Sequence, residues 1–279
     1  MWIKKFSEFI LFSSVFIALC AVAFCIETNI LLGLPLNSLS FYCFVFGATL
    51  AQYNLHYLVK TVAVKNSRRL AWSQKNKNIH FVMLIAGGML IIFSFFSFHL
   101  KHFIILTCLA GIAFLYSFPF LPFGKRKRIK DYGIFKIITL AFLWTLVTVW
   151  FPVNNMPYDT TLFLFIFIKR FVFMFVLCLL FDVRDIEIDA RESIKTLAVT
   201  LGTKKSYLLA YYSLIIFVLL SIAQFFYIPQ KGFLIAMLIS SAITFLTVEA
   251  TKKTNSDYIY LAGIDGMMLL QALLIYFSV

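Results

Sequence analysis

Residues 160–202 read TTLFLFIFIKRFVFMFVLCLLFDVRDIEIDARESIKTLAVTLG. An apolar run over 160–181, interrupted only by Lys169 and Arg170, passes directly into Asp182, Asp185, Glu187, Asp189 and Glu192. The run is as long as the roughly 20 residues a helix needs to cross a hydrocarbon core about 30 Å thick. Its acidic end gathers five of the chain's twelve carboxylates within eleven residues.

Working outward, runs of the same kind recur at about 6–26, 37–59, 79–98, 101–119, 134–151, 206–228, 232–250 and 257–277. With 160–181 they predict an all-α polytopic membrane bundle of nine transmembrane helices, a single domain over 1–279 with no room for a soluble one. Composition agrees. The 279 residues are 62% apolar and 13% charged with mean hydropathy +0.93, against about 45–50% apolar and about 25% charged in a soluble domain. Disorder, collagen, coiled coil and a disulfide-stapled module are excluded on the same ground. All six prolines fall at or beyond the ends of the predicted spans, where the missing N–H breaks no ladder. Lys4 and Lys5 before Ala21-Val22-Ala23 resemble a signal peptide, but the run continues to Ile26 and reads as an uncleaved first helix.

The net charge of +13 would suggest nucleic acid on a soluble protein. Its distribution points elsewhere. Nine alternating spans put 21 of the 25 Lys and Arg on one face, leave Lys101 and Lys231 on the other, and keep Lys169 and Arg170 inside a span. By the positive-inside rule the N-terminus is cytoplasmic and the C-terminus outside, in a membrane of the bacterial inner type, with no nucleic-acid partner expected. Orientation needs fewer charges than the six in the fourth connection, among them Lys125 and Arg126. Anionic lipid headgroups and a phosphorylated substrate are the two readings of that excess. The five cysteines lie within apolar runs without C-x-x-C spacing and read as small core residues.

If the helix continues past 181, Asp182, Asp185 and Asp189 stand at i, i+3 and i+7, within about a 60° arc. Arg184, Glu187 and Arg191 then project from the other side. Hard oxygen ligands at a membrane surface suit Mg²⁺, which takes one or two carboxylates, waters and phosphate oxygens. A solvated helix end paired with Arg184, Arg191 and Lys195 is the other reading.

The stretch 181–202, with Asp182, Asp185 and Asp189 followed by Lys195-Thr196-Leu197 and Gly202, resembles the second aspartate-rich motif of the UbiA superfamily of membrane-embedded prenyltransferases. Tyr116-Ser117 followed by Lys125-Arg126 is similar to that family's Tyr-Ser and basic pair. The resemblance implies transfer of an isoprenoid chain from a prenyl diphosphate to a lipophilic acceptor, aromatic or a quinone precursor. It implies Mg²⁺ on Asp182, Asp185 and Asp189, with Arg184 and Lys195 among the groups near the diphosphate. The chain departs from the family at its first aspartate motif. The corresponding stretch reads AQYNLHYLVK, residues 51–60, and no aspartate occurs from 28 to 130. Asn54 and His56 are then the candidate neutral ligands, and Lys60 or Arg68 the charge replacing a second ion. A catalytically silent protein on the same fold, binding a prenyl diphosphate or membrane lipid or serving transport or scaffolding as a structural membrane protein, is the alternative.

Lys169 and Arg170 in mid-span must face the bundle interior or a partner, and Asp265 in the last span is the expected partner of Arg170. His80 is expected to snorkel at the start of the third span. Asp257 is expected to cap the last helix.

Overall fold

The computed structural model describes residues 2–59, 67–96, 98, 100–117, 133–153, 157–191 and 194–279, and among these it is almost wholly helical. The chain opens with α1 (Trp2–Phe12) and α2 (Val15–Leu31). The first predicted span is broken rather than straight: Lys4–Phe12 and Val15–Leu31 meet at 62°, with Ser14 left-handed at φ 69. Then come α3 (Leu39–Val59), α4 (Arg68–Lys75), α5 (Lys77–Phe95), α6 (Leu100–Ser117) and α7 (Gly133–Thr145). α7 runs on through a π-helical turn, Leu146–Trp150, and a 3₁₀ turn, Phe151–Val153. After α8 (Thr160–Arg184) come a short α9 (Ile186–Arg191), a two-residue strand β1 (Lys195–Thr196) and α10 (Leu197–Leu201). α11 (Thr203–Tyr227), α12 (Lys231–Thr251), a π-helical segment Ile259–Ile264 and α13 (Gly266–Ser278) complete the chain.

Among the described residues six helices are long and apolar enough to cross a membrane, or seven if the broken pair counts as one span. The helices expected over 37–59 and 101–119 form as α3 and α6. α3 is long enough, but Gln52, Asn54 and His56 interrupt its apolar character.

α2, α13, α12, α11, α8 and α7 pack each on the next, and the π turn beyond α7 returns to α2. α3 lies against that ring through α2, and α5 lies against α3. Their approach is close because Gly47 and Gly87 face each other; a Cβ on Gly47 would stand 2.8 Å from the Gly87 carbonyl oxygen. Small residues at such crossings let backbones touch, as expected where lipid offers no hydrophobic drive. The ring's core is Phe24, Phe173, Phe217, Phe233 and Tyr260 with aliphatic neighbours, all buried. Phe81, Ile92, Phe93, Leu219 and Phe226 are exposed, as lipid-facing side chains are.

Mid-bundle, the expected pairing is corrected. Arg170 pairs with Glu27 of α2 rather than with Asp265: Nη2 to Oε2 is 3.1 Å, with both side chains essentially inaccessible. The contact is an ion pair rather than an aligned hydrogen bond. Arg170 also lies 3.5 Å over the Phe24 ring, and Gln271 Nε2 donates to Glu27 Oε1 at 2.8 Å. Glu27 thereby ties α2, α8 and α13 together. It escaped the sequence reading because the first span was ended at 26, whereas α2 continues to Leu31.

Candidate functional site

α8 stops where the acids begin. Asp185 closes it at φ −91, ψ 6, in the sparsely populated bridge region, and α9 restarts with Ile186. The helix therefore does not continue unbroken through the three aspartates, and their side chains take different cations. Arg184 donates to its neighbour Asp185 through Nε at 2.8 Å and Nη2 at 3.0 Å. Its guanidinium also lies over the rings of Phe181 and Tyr260, at 5.0 and 5.2 Å. Asp182 and Asp189 meet instead at Lys136 of α7. Nζ is 2.8 Å from Asp182 Oδ1 and 3.4 Å from Asp189 Oδ2.

Lys136 is carried there by a backbone contact. Gly133, at the start of α7, pairs as a parallel bridge with Thr196 of β1. A side chain at 133 would collide with the Lys195 carbonyl oxygen. Only glycine lets β1 lie against the helix, and one turn later Lys136 reaches the acids.

Beside the acids opens a cavity of about 1000 Å³. Arg69, Arg184, Arg191, Lys204 and Lys252 supply its positive charge and Asp185, Glu187, Asp189 and Asp257 its negative charge. Tyr57, Tyr207 and Tyr211 give it ring faces. Asp189 joins the two features, since it lines the cavity and shares Lys136 with Asp182. Lys252 donates to Glu249 at 2.8 Å, and this bond, with that of Tyr211, raises its pKa above the ordinary lysine value.

Whether these groups fit Mg²⁺ is a question of donors. Asp182 and Asp189 offer hard oxygens, and Asp182 Oδ2 is buried without a hydrogen-bond partner. That satisfies the one or two carboxylates Mg²⁺ asks of a protein. No group of three or more His, Cys, Asp or Glu converges as a complete metal cage among the described residues.

The α3 side differs. Asn54 is fully buried and its amide is committed, donating to Ser13 O at 3.0 Å and Leu50 O at 2.7 Å. Its Oδ1 meets His80 Nδ1 at 2.6 Å, so His80 is buried rather than snorkelling. His56 is exposed, with its ring edge on Tyr57. Arg68 is exposed and 3.9 Å from Glu8; the cavity takes its neighbour Arg69. Lys195 is exposed. Tyr116 falls in the last turn of α6, while Lys60, Lys125 and Arg126 lie outside the described residues. Asp257 does cap a helix, but the wrong one for the sequence reading. Its Oδ2 accepts from Arg69 N at 2.8 Å, at the start of α4. Sequence reasoning missed Lys136, Arg69, Lys204 and Lys252 as site residues, since a run of basic residues does not reveal which of them turns inward.

A sequence comparison with curated proteins finds no match. Solved structures of the same fold exist at low identity. A digeranylgeranylglyceryl phosphate synthase structure is 16% identical with TM-score 0.58, over 99% of this chain and 98% of that one. A UbiA homologue from Archaeoglobus fulgidus bound to GPP and Mg²⁺ is 12% identical with TM-score 0.62, over 97% and 99%. A UbiA homologue from Aeropyrum pernix K1 is 12% identical with TM-score 0.59, over 93% and 94%. These likenesses are to the fold. Residues 73–260 match the model of the UbiA prenyltransferase family, and the acids after α8 and most of the helical ring fall within that match, so this integral membrane protein belongs to the UbiA prenyltransferase family.

Proposed function

We propose that the protein transfers an isoprenoid chain from a prenyl diphosphate to a lipophilic acceptor, an aromatic or quinone-precursor ring, at the cytoplasmic end of a nine-span bundle whose C-terminus lies outside. The observation that carries this reading is the meeting of Asp182 and Asp189 beside a cavity of about 1000 Å³ rimmed with cations. The Archaeoglobus relative's GPP and Mg²⁺ supply the ligand class. When bound, Mg²⁺ would neutralise charge on the departing diphosphate. Asp182 and Asp189 would hold it, with Asp185 the third ligand. Arg184, exchanging Asp185 for a phosphate, would free both groups, and Arg191, Lys204 and Lys252 would add donors to the leaving group. As the allylic C–O bond breaks, its electron pair leaves with the diphosphate and an allylic cation remains for the acceptor. The acceptor ring then forms the new bond and loses a proton.

Purified protein with Mg²⁺, a panel of prenyl diphosphates and candidate acceptors tests this by diphosphate release. Asp189→Asn is expected to lower release at least about a hundredfold, the order seen when one stabilising group is removed from developing charge. Unchanged release in Asp182→Asn and Asp189→Asn would overturn the reading.

One observation favours a second reading, a silent binder on the same fold: the α3 side has no carboxylate, and Asn54 is already sealed by His80. Prenyl diphosphate binding that is lost in Asp185→Ala, with no diphosphate release by the unaltered protein, would select it.

A further inference from the structure

Arg69 lines the cavity and is only 7% exposed. Of a guanidinium's five N–H donors one is engaged, Nη2 to Ser14 Oγ at 3.0 Å. Nε is buried without a partner. The guanidinium lies 4.4 Å over the Tyr57 ring, and no described carboxylate pairs with it. Asp257 is taken by the Arg69 backbone N–H and by Ser67 Oγ. Asp265 is within electrostatic reach but forms no ion pair with it. The other cavity cations differ: Arg184 is held by Asp185, Arg191 stands 3.9 Å from Glu187, Lys252 is held by Glu249, and Lys204 is exposed.

A buried guanidinium with idle donors and no carboxylate in ion-pair contact is expensive unless a ligand completes it. No Asp or Glu occurs between residues 28 and 130, so no carboxylate from α3, α4 or α5 can hold a metal there. We infer that Arg69 receives the far phosphate of a diphosphate directly, as a fixed charge where a second metal ion would otherwise be needed. The site then takes one divalent ion per diphosphate. This rests on the reading of Asp182 and Asp189 as the ligands of that ion.

The test uses the full chain in phosphatidylcholine nanodiscs, with pyrophosphate and geranyl diphosphate binding followed by calorimetry and Mn²⁺ counted by electron paramagnetic resonance. The unaltered protein is expected to hold one Mn²⁺ per pyrophosphate. Arg69→Gln should bind pyrophosphate about ten- to a hundredfold more weakly, as expected for loss of a charge-assisted pair, and Arg69→Lys should fall between. The ligand-free melting temperature of both variants should hold or rise, because an uncompensated charge has been removed or made easier to solvate. Binding within twofold in Arg69→Gln, two Mn²⁺ per pyrophosphate, or ligand-free melting that falls in step with binding would each overturn the inference. An Arg69-dependent response to phosphatidic acid but not to pyrophosphate would also overturn it and make the site a lipid headgroup site. Asp189→Asn separates the two levels. If it loses Mn²⁺-dependent binding while Arg69→Gln does not, only the role of Arg69 falls; if it keeps that binding, the proposed function falls with it.

Discussion

Glu27 with Arg170, and Asp182 and Asp189 with Lys136, are built from the same chemistry, carboxylates and a cation from a neighbouring helix. Their surroundings differ. The first pair is inside the ring, with side chains 0–1% exposed, a phenyl face against the guanidinium and Gln271 closing the remaining oxygen. The second stands at the end of α8, with Lys136 23% exposed, an acid oxygen left unpartnered and a cavity alongside. A charge sealed on all sides can only hold helices together, whereas one bordering a polar cavity can exchange its partner for a ligand. Burial, rather than residue type, separates the structural pair from the functional one.

Breaking the sealed pair should have the largest effect. Glu27→Ala leaves Arg170 charged and alone, which costs about 3–5 kcal/mol. In detergent this should appear as a large loss of melting temperature or of folded yield, and Glu27→Ala with Arg170→Met should recover much of it. A single variant that melts like the unaltered protein would erase the contrast.

Lys136→Met should act at the open, partly solvated cluster and more mildly, by about 1.5–3 kcal/mol, the range for a hydrogen bond to a charged group. Mg²⁺ with pyrophosphate should then raise the melting temperature of the variant more than that of the unaltered protein, since a metal would replace the missing cation. Equal shifts in the two proteins would count against exchange.

Asn54→Ala removes the partner of His80 and of the Ser13 carbonyl, for an expected loss of about 1 kcal/mol, the low end of the cost of an unsatisfied buried polar group. The Mn²⁺ stoichiometry of diphosphate binding should not change. If it does, Asn54 belongs to the site and the α3 wall is not passive.

The smallest effect is expected at Asp159, which caps α8 at the end away from the acids. The Leu162 N–H and the Tyr227 hydroxyl hold its pKa below the ordinary value. A lowered carboxylate pKa contributes stability above its unfolded value and loses it as pH falls through the folded one. Asp159→Ala should therefore lower the melting temperature slightly at neutral pH, and the difference should close on acidification.

Much of the bundle was legible because lipid imposes a simple rule on the chain: backbone must be helical and the side chains facing outward apolar. The runs at 79–98, 134–151, 160–181, 206–228, 232–250 and 257–277 therefore reappear with shifted ends. The break at Ser14 was not legible, since neither a proline nor a glycine marks it. The acids after α8 could be found as a cluster, but their grouping could not. An i, i+3, i+7 pattern assumes an unbroken helix, and Asp185 ends it. That Arg69 rather than Arg68 lines the cavity was hidden for a related reason: adjacent residues on a helix point about 100° apart, and the phase of α4 is set by its docking to Asp257, 188 residues away.

Composition and spacing alone determined that this chain lies in a membrane, that it is helical, and that five acids gather at the end of one span, because each of these depends on local preference and on solvent. Tertiary packing decided which of those acids share a cation, that Glu27 rather than Asp265 answers Arg170, and that Arg69 is left with idle donors beside the cavity. These outcomes are pairings between residues tens to hundreds of positions apart, and no local pattern encodes which of several charges of the same sign arrives at a given place.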